Sequence, residues 1–370
     1  MARKISNLIL LDGLFSPIYR ICSWIVPWFF NQKDSNDKVI AIKFFGMGSI
    51  VRLASTLKNT DLPLSNIELI TLSKDKKICE LLGIKAHCVR SENLFYMLLD
   101  LITTVFRVWK MKGIKIIDLE RISNFSGTFR LICSIGKSCS SFTFEKENRS
   151  KKNQKFISLE NKPAIQAIAE IFELNKQTVS QPETIREGEK IVINVNAGEY
   201  LPQRKYPIEY VAEIIQQLQQ RDSAFEFLLT GLQKELAYTN QLAKMLDELG
   251  VSYENTAGKL SLEGLIHVLK NCQMLITNDS GPLHLAHYFN VPTVAIWGPT
   301  SAKLVGYSDS YRMVNISTKM ECSPCFIHPK SKVARACSNR IDCLHGLDKN
   351  RVVEAAFMLS RSLKLASNAE

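Results

Sequence analysis

The chain has 370 residues, with 47 Lys and Arg against 36 Asp and Glu, a formal net charge of +11 and an isoelectric point near 9.1. With 46% apolar and 22% charged residues it lies far from disordered composition, and 17 Gly with 12 Pro exclude a collagen-like or low-complexity chain; no run approaches the ~18 uninterrupted apolar residues of a spanning helix. The length predicts two domains that can each bury a core, and the basic balance admits a nucleic acid, an anionic lipid or a phosphate-bearing substrate without choosing among them.

Residues 1–38 read as an apolar N-terminal segment and linker. The stretch 5–30, ISNLILLDGLFSPIYRICSWIVPWFF, follows Arg3 and Lys4 and is broken by Asp12, Arg20 and two prolines. Its longest uncharged run, 21–30, is too short to cross a bilayer, and no small-residue cleavage site of a signal peptide follows. Tyr19, Trp24, Trp28 and Phe29 suit a membrane interface, so 1–30 predicts an in-plane anchor. A helix packed on the protein's own surface is the alternative. The polar stretch NQKDSNDK (31–38) then leads into the first strand.

Residues 39–180 alternate strand and helix. VIAIKFF (39–45) is a buried strand followed by GMGS and a helix to about Lys58. IELITL (67–72) is a strand, KKICELLG a helix, AHCV a short strand, 94–112 a long apolar helix and IKIIDLE (114–120) a strand with an acidic end. EKENRSKKNQK (145–155) predicts a charged loop or flap. Residues 181–350 start the alternation again. KIVINVNAG (190–198), AFEFLLTG (224–231), VSYEN, QMLITND (273–279) and TVAIWGPT (293–300) are strands. Helices fall at 208–221, 232–249, 261–272 and SGPLHLAHYF; residues 351–370 form a last helix and tail. Such alternation implies parallel sheets covered on both faces, and two Rossmann-like domains whose ligand sits at strand C-termini.

The strongest local signal is ITNDSGPLHLAHYF. A strand ends at Asn278–Asp279 and a helix begins at once through Ser280, Gly281 and Pro282. Free amides and the positive end of the helix dipole make an anion site there, and Gly281 admits close backbone approach. The plain alternative is that Asp279 or Ser280 caps the helix. Ala197-Gly198, Gly231 and Gly298-Pro299-Thr300 end strands of the same predicted sheet, and Arg204 and Lys205 follow the first turn. Convergence of these turns on one edge favours a nucleotide-type ligand.

Taken together, N196-A-G, R204-K-Y-P, S261-L-E-G, N-D279-S-G-P-L-H-L-A and VPTVAIWGPT resemble glycosyltransferase family 9, the ADP-heptose:lipopolysaccharide heptosyltransferase family, over roughly residues 39–360. The resemblance implies an α/β fold of GT-B type, with the two parallel sheets facing across a cleft. It implies an inverting glycosyltransferase that needs no cofactor for its chemistry and moves a heptose or another hexose-like sugar from a nucleotide-sugar to a lipopolysaccharide, glycolipid or surface-polysaccharide acceptor. By the same resemblance Arg204 belongs to the donor phosphates, Asn196 and Gly198 to donor binding, Asp279, Ser280, Gly281 and His284 to the loop holding pyrophosphate and sugar, Leu260 to the base and Glu235 to the ribose.

The N-terminal motif departs from the family. Heptosyltransferases resemble K-x-x-x-x-G-D after the first strand, with the Asp as base; here K43-FFGMG-S49 puts Ser49 in that place, after Gly46 and Gly48 on the acceptor side. A serine hydroxyl is no base at neutral pH without an activator. Asp118 and Glu120, on one face by strand alternation, are the replacements, with Glu120 preferred. Their plain alternative is that both only satisfy loop amides.

Ten cysteines in a long chain without a secretory signal point to a reducing compartment. Cys322, Cys325, Cys337 and Cys343 crowd together with His328 and His345 nearby, a spacing able to hold a structural zinc or iron; reduced thiols are the alternative. No hydrolase elbow, Walker loop or basic–aromatic nucleic-acid surface occurs. The expectation is a cytoplasmic enzyme, peripheral on the inner membrane face, that binds no nucleic acid. A catalytically inactive nucleotide-sugar- or partner-binding protein of the same fold is the second reading, kept open by Ser49, and a zinc-module nucleic-acid binder the third.

Overall fold

The computed structural model describes residues 2–26, 38–58, 60, 62–120, 123–143, 149–151, 154–174, 188–198, 201–325 and 341–367. The chain divides into two units, Met1–Thr178 and Val179–Glu370.

The first unit opens with α1 (Ala2–Ile25). Strands β1 (Lys38–Ile42), β2 (Ile67–Leu72), β3 (Lys85–Val89), β4 (Ile114–Asp118) and β5 (Ser138–Thr143) follow. They alternate with α2 (Met47–Leu57), α3 (Lys76–Leu81), α4 (Leu94–Lys110) and α5 (Asn124–Cys133); β6 (Arg149–Lys151), β7 (Gln154–Ser158) and α6 (Ala164–Ile171) complete the unit. The sheet runs β3-β2-β1-β4-β5-β7-β6. Every pairing is parallel except β6 on β7. Strands β2 and β4 are buried along their whole length, the pattern of a parallel sheet with both faces covered. The Asn93 side chain caps α4 by accepting from the Phe95 N–H at 2.8 Å. Ser123 caps α5 the same way.

One expectation changes here, and one of the two readings of the N-terminal segment gains contacts. The charged stretch 145–155 is not wholly loop: Arg149–Lys151 and Gln154–Ser158 are strands that extend the sheet past β5, while 144–148, 152 and 153 lie outside the described residues. The N-terminal segment packs on its own unit, as Phe15 meets the Phe125 ring edge-on at 5.3 Å and the Tyr19 ring lies against Gly127 of α5. The linker 31–38 falls outside the described residues except for Lys38.

The second unit holds β8 (Lys190–Asn194), α7 (Ile208–Arg221), β9 (Glu226–Leu229), α8 (Leu236–Glu248), β10 (Tyr253–Asn255), α9 (Leu262–Lys270), β11 (Met274–Asn278), α10 (Gly281–Tyr288), β12 (Thr293–Trp297), α11 (Ala302–Val305), β13 (Met313–Ser317), α12 (Asp342–His345) and α13 (Lys349–Ser367). Its sheet, β10-β9-β8-β11-β12-β13, is parallel throughout. Strand β13 carried no sequence expectation. Helix α13 belongs to this unit: Val352, Val353, Ala356 and Leu359 join the core with Ile215 and Leu218 of α7.

In each unit the strand order reverses once, between β1 and β4 and between β8 and β11. Open parallel sheets bind ligands beyond the strand C-termini at this reversal. Both candidate sites therefore have a fixed address.

Candidate functional site

The site of the second unit is built around Asn194, Asn196, Arg204 and Asp279. Asn194, the last residue of β8, donates from Nδ2 to the Asn196 carbonyl, Thr277 Oγ1 and Ser280 Oγ, each at 3.0 Å. Asn278 ends β11; its Nδ2 donates to the Val195 carbonyl at 2.9 Å and its Oδ1 accepts from the Tyr206 N–H at 3.1 Å. Side-chain amides thus lace the two strands at the reversal, where the sheet itself has no further backbone pairing to offer.

Arg204 closes this edge. Its guanidinium donates to Asp279 Oδ2 at 3.2 Å, to the Leu201 carbonyl at 3.2 Å and to the Ala197 carbonyl. One planar fork therefore spans the turn after β8 and the loop after β11, which a point-like ammonium could not do. Lys205 takes a different place, with its ammonium 4.0 Å from the centre of the Tyr238 ring. His284 is buried on α10, with Nδ1 2.9 Å from the Tyr307 hydroxyl and Nε2 3.9 Å from Asp279 Oδ1. His287 stacks on Tyr307 at 3.4 Å between ring centres. His267 is exposed on α9.

Helix α10 begins without a side-chain cap, although Ser280 stands at the cap position with extended backbone. The Ser280 hydroxyl is engaged with Asn194 and Thr277 instead. The capping alternative read from the sequence is therefore not what the structure shows. The first N–H groups of the helix carry partial positive charge toward the edge with no protein acceptor supplied by Ser280, a place that takes an anion. Two buried polar atoms beyond strand ends of the same sheet, Asn196 Oδ1 after β8 and Thr300 Oγ1 after β12, have no hydrogen-bond partner among the described residues. Gly198, in the left-handed region at φ 69°, ends the first turn.

The two residues assigned to the nucleoside sit further out. Glu235 is half-buried and its carboxylate accepts from the Leu232 N–H at 2.9 Å, closing the turn that leads into α8. Leu260 is half-buried against Gly264, just before Ser261 caps α9 by accepting from the Gly264 N–H.

In the first unit the reversal gathers Lys43, Asp118 and Glu120. Glu120 Oε1 accepts from the N–H groups of Phe44 and Phe45 at 2.7 and 2.9 Å, and Oε2 accepts from Lys43 Nζ at 2.7 Å. Both groups are buried. This carboxylate ties the loop after β1 to the end of β4. Gly46 follows in that loop at φ 88°, where an L side chain is strained, and leads into α2 without a side-chain cap. Gly48 lies in the first turn of α2, and the Ser49 N–H bonds back to the Gly46 carbonyl at 2.9 Å.

Asp118 and Glu120 do not share a face. Strand β4 ends at Asp118, so alternation stops there. Asp118 Oδ1 accepts from Ser126 Oγ at 2.8 Å and from the Glu120 N–H at 3.0 Å, with Arg130 Nε 3.9 Å from Oδ2. It therefore turns under α5 while Glu120 turns to β1. Burial pushes the Asp118 carboxyl up to about 6, with Arg130 and the two hydrogen bonds opposing the rise. Its folded value lies above the unfolded one, so it lowers stability as pH climbs from about 4 to about 6. In Asp118→Asn that component is absent: the melting temperature of the variant relative to wild type should rise over this interval and then level off, as thermal unfolding at stepped pH would record.

Two residues here escaped sequence reading. Asp75, beyond the end of β2, is buried with Oδ2 unpartnered among the described residues; burial raises its carboxyl, Lys74 and Lys43 pull it down and Glu120 pushes it up. Arg52 on α2 is buried and its Nε has no partner among the described residues. In the sequence Asp75 looks like part of a solvated SKDKK run, and Arg52 interrupts an apolar helix with no motif to mark it.

Of the clustered cysteines, Cys322 is exposed, Cys325 half-buried and Cys343 buried in the core; Cys337 and His328 lie outside the described residues. Among the described residues no three His, Cys, Asp or Glu gather as metal ligands. The Cys322–Cys325 knuckle is pinned to the turn after β12: Ser323 Oγ donates to the Gly298 carbonyl at 2.7 Å and the Cys325 N–H to the Pro299 carbonyl at 3.1 Å.

Residues 148–334, half of the chain, match glycosyltransferase family 9 (heptosyltransferase). The chain belongs to glycosyltransferase family 9. Lipooligosaccharide heptosyltransferase 2 of Campylobacter jejuni serotype O:2 is 25% identical over 255 residues, covering 67% of this chain and 77% of that protein. The fold matches E. coli ADP-heptose LPS heptosyltransferase II with a TM-score of 0.64 at 16% identity, over 88% of this chain and 99% of that one. The dodecameric iron-containing heptosyltransferase TibC matches at 0.52 and 12% identity, over 90% and 79%. This family 9 member is therefore a glycosyltransferase, and its α/β fold is that of the heptosyltransferases. Among the described residues no helix is long and apolar enough to cross a membrane.

Proposed function

We propose that this glycosyltransferase moves a heptose or a related sugar from a nucleotide-sugar held by the second unit to a lipopolysaccharide-type glycolipid, inverting the anomeric centre. The uncapped start of α10 beside Arg204, at the strand reversal, is the observation that carries this reading. The acceptor hydroxyl forms its bond to the anomeric carbon as the bond to the leaving phosphate oxygen breaks. Charge then grows on the departing nucleoside diphosphate, and fixed donors already aimed at that place stabilise it most. Arg204 and the α10 amides supply them. The hydroxyl proton passes to a carboxylate of the first unit, for which Glu120 is the first candidate and Asp118 the second, with Gly46, Gly48 and Ser49 shaping the acceptor side.

Asn196, Gly198, Asp279, Ser280, Gly281 and His284 complete the donor side, with Leu260 toward the base and Glu235 toward the ribose. The likeness to heptosyltransferases supports heptose as sugar and an LPS-type acceptor. Residues 1–30 place the enzyme peripherally on the cytoplasmic membrane face, supported by the exposed Ile18, Ile21, Trp24 and Ile25 of α1. The deciding experiment incubates a panel of nucleotide-sugars with membrane extract and follows nucleoside diphosphate release. Turnover with ADP-heptose supports the reading, and turnover with a different donor alone replaces the sugar.

The thiols of Cys322, Cys325, Cys337 and Cys343 are the proposed ligands of a structural zinc or iron that braces the segment after β12 and takes no part in transfer. Their spacing supports it. Purified protein should carry about one metal ion per chain by elemental analysis, and Cys322→Ser should lose it while keeping the fold.

A further inference from the structure

Helix α4 carries two apolar rows. Met97, Leu101 and Val108 face the sheet with Thr104 and are buried. Phe95, Leu99, Ile102, Phe106 and Trp109 recur on the other side at alternating spacings of four and three residues, which keeps them on one stripe. They stay 68, 43, 54, 55 and 41% exposed. Leu94, Tyr96 and Leu98 widen the stripe at its start. An ordinary surface helix is polar here, and an exposed apolar patch of this length marks an interaction site.

A second exposed row, Ile18, Ile21, Trp24 and Ile25, lies on α1, with Trp24 74% exposed. Helix α5 touches both α1 and α4, and Phe15 packs on the core cluster that contains Met97, Leu101, Val108 and Phe125. The two rows thus belong to one helical layer on one face of the first sheet.

The charges around the rows select the occupant. No acid interrupts the outer row of α4. Lys110 and Lys112 are exposed beyond Trp109, and Arg20 is exposed between Ile18 and Ile21. Among the described side chains the acids nearby are Asp100, held by Arg90 at 2.6 Å, Glu68, held by Arg107, and Glu92 at the start of α4. Apolar and aromatic side chains flanked by cations that have no ion pair among the described residues fit the acyl boundary and phosphates of an anionic bilayer. A second copy of the same face would set those cations against their like.

We propose that the outward faces of α4 and α1 form one docking surface that lies in the plane of an anionic phospholipid bilayer. The proposal extends the membrane contact of residues 1–30 to a second, distant stretch of chain, and rests on the glycolipid-acceptor reading for its purpose alone.

The test mixes the full chain with sucrose-loaded vesicles of phosphatidylethanolamine and phosphatidylglycerol, or of phosphatidylcholine alone, and sediments them. Wild type should partition onto the anionic vesicles and less onto phosphatidylcholine. Ile102→Glu with Phe106→Glu should lower that partition by about tenfold or more while the melting temperature holds. The same variant should keep wild-type turnover on a deacylated, water-soluble acceptor, which separates docking from transfer. Brominated phosphatidylglycerol should quench wild-type emission more than that of Trp109→Phe, a readout independent of the charged variant. Unchanged partition in the Glu variant overturns the proposal, as does equal binding to both vesicle types. A lipid-free dimer that the Glu variant breaks assigns the face to a second copy and overturns it too.

Discussion

Arg204→Ala should lower kcat/KM for the donor by about 10²–10³-fold while the second unit stays folded. The guanidinium has two duties that the variant removes together. On the proposed reading it places positive charge where the leaving diphosphate gains charge, beside the start of α10, and it joins the Ala197 and Leu201 carbonyls to Asp279. Losing it leaves the Asp279 carboxylate buried with His284 Nε2 at 3.9 Å, a loss of about 1–3 kcal/mol in stability. Arg204→Lys restores charge but not the fork, and should recover only part of the rate. Calorimetric titration with nucleoside diphosphate, beside steady-state kinetics, divides the loss: a drop mainly in kcat with binding kept marks stabilisation of the transition state. A drop confined to KM would mean that Arg204 only holds the ground-state complex.

Glu120→Gln should cost activity by about 10²–10³-fold, and Lys43→Met separates the two causes. As a base, Glu120 takes the acceptor proton; as a tie, it holds Phe44, Phe45 and Lys43 in place. Glutamine keeps the acceptor oxygen for the two N–H groups but turns a donor toward Lys43, so it disturbs both roles. Methionine at 43 keeps the carboxylate and removes only the ion pair, and should destabilise the first unit by about 3 kcal/mol because a buried charge loses its partner. If Glu120 is the base, the rate–pH profile loses its acidic limb in Glu120→Gln and keeps it in Lys43→Met. Loss of rate in both variants with the limb unchanged would reduce Glu120 to a positioning residue. Asp75, buried with a free carboxylate oxygen beside the same pair, would then be the next residue to change.

Much of this architecture is legible in the chain itself. The apolar runs of β1, β2, β4, β8, β11 and β12 stand out because strands buried on both faces leave no polar alternation. The edge proposed for the donor is legible because its turns need particular residues at strand ends. Strands β6 and β7 are not, since an edge hairpin rich in Lys, Arg and Gln has the composition of a loop. The orientations of Asp118 and Glu120 are not legible either: alternation holds only inside a strand, and β4 stops between them. Nor does sequence reveal that Ser280 spends its hydroxyl on Asn194, because that depends on a residue 86 positions away. Helix α4 is the subtlest case. Its apolar length is plain, yet which row meets the sheet is decided by packing.

Gly298 has no room for a side chain: a Cβ there would lie 2.6 Å from Leu344 Cγ. Its carbonyl is held by Ser323, and the next residue's by Cys325. The loop after β12, on the edge proposed for the donor, is thus held both by the helix carrying Cys343 and by the Cys322–Cys325 knuckle. The position of this loop is therefore set from outside the strand edge, and a change in the knuckle or in Leu344 reaches that edge through the Gly298 and Pro299 carbonyls.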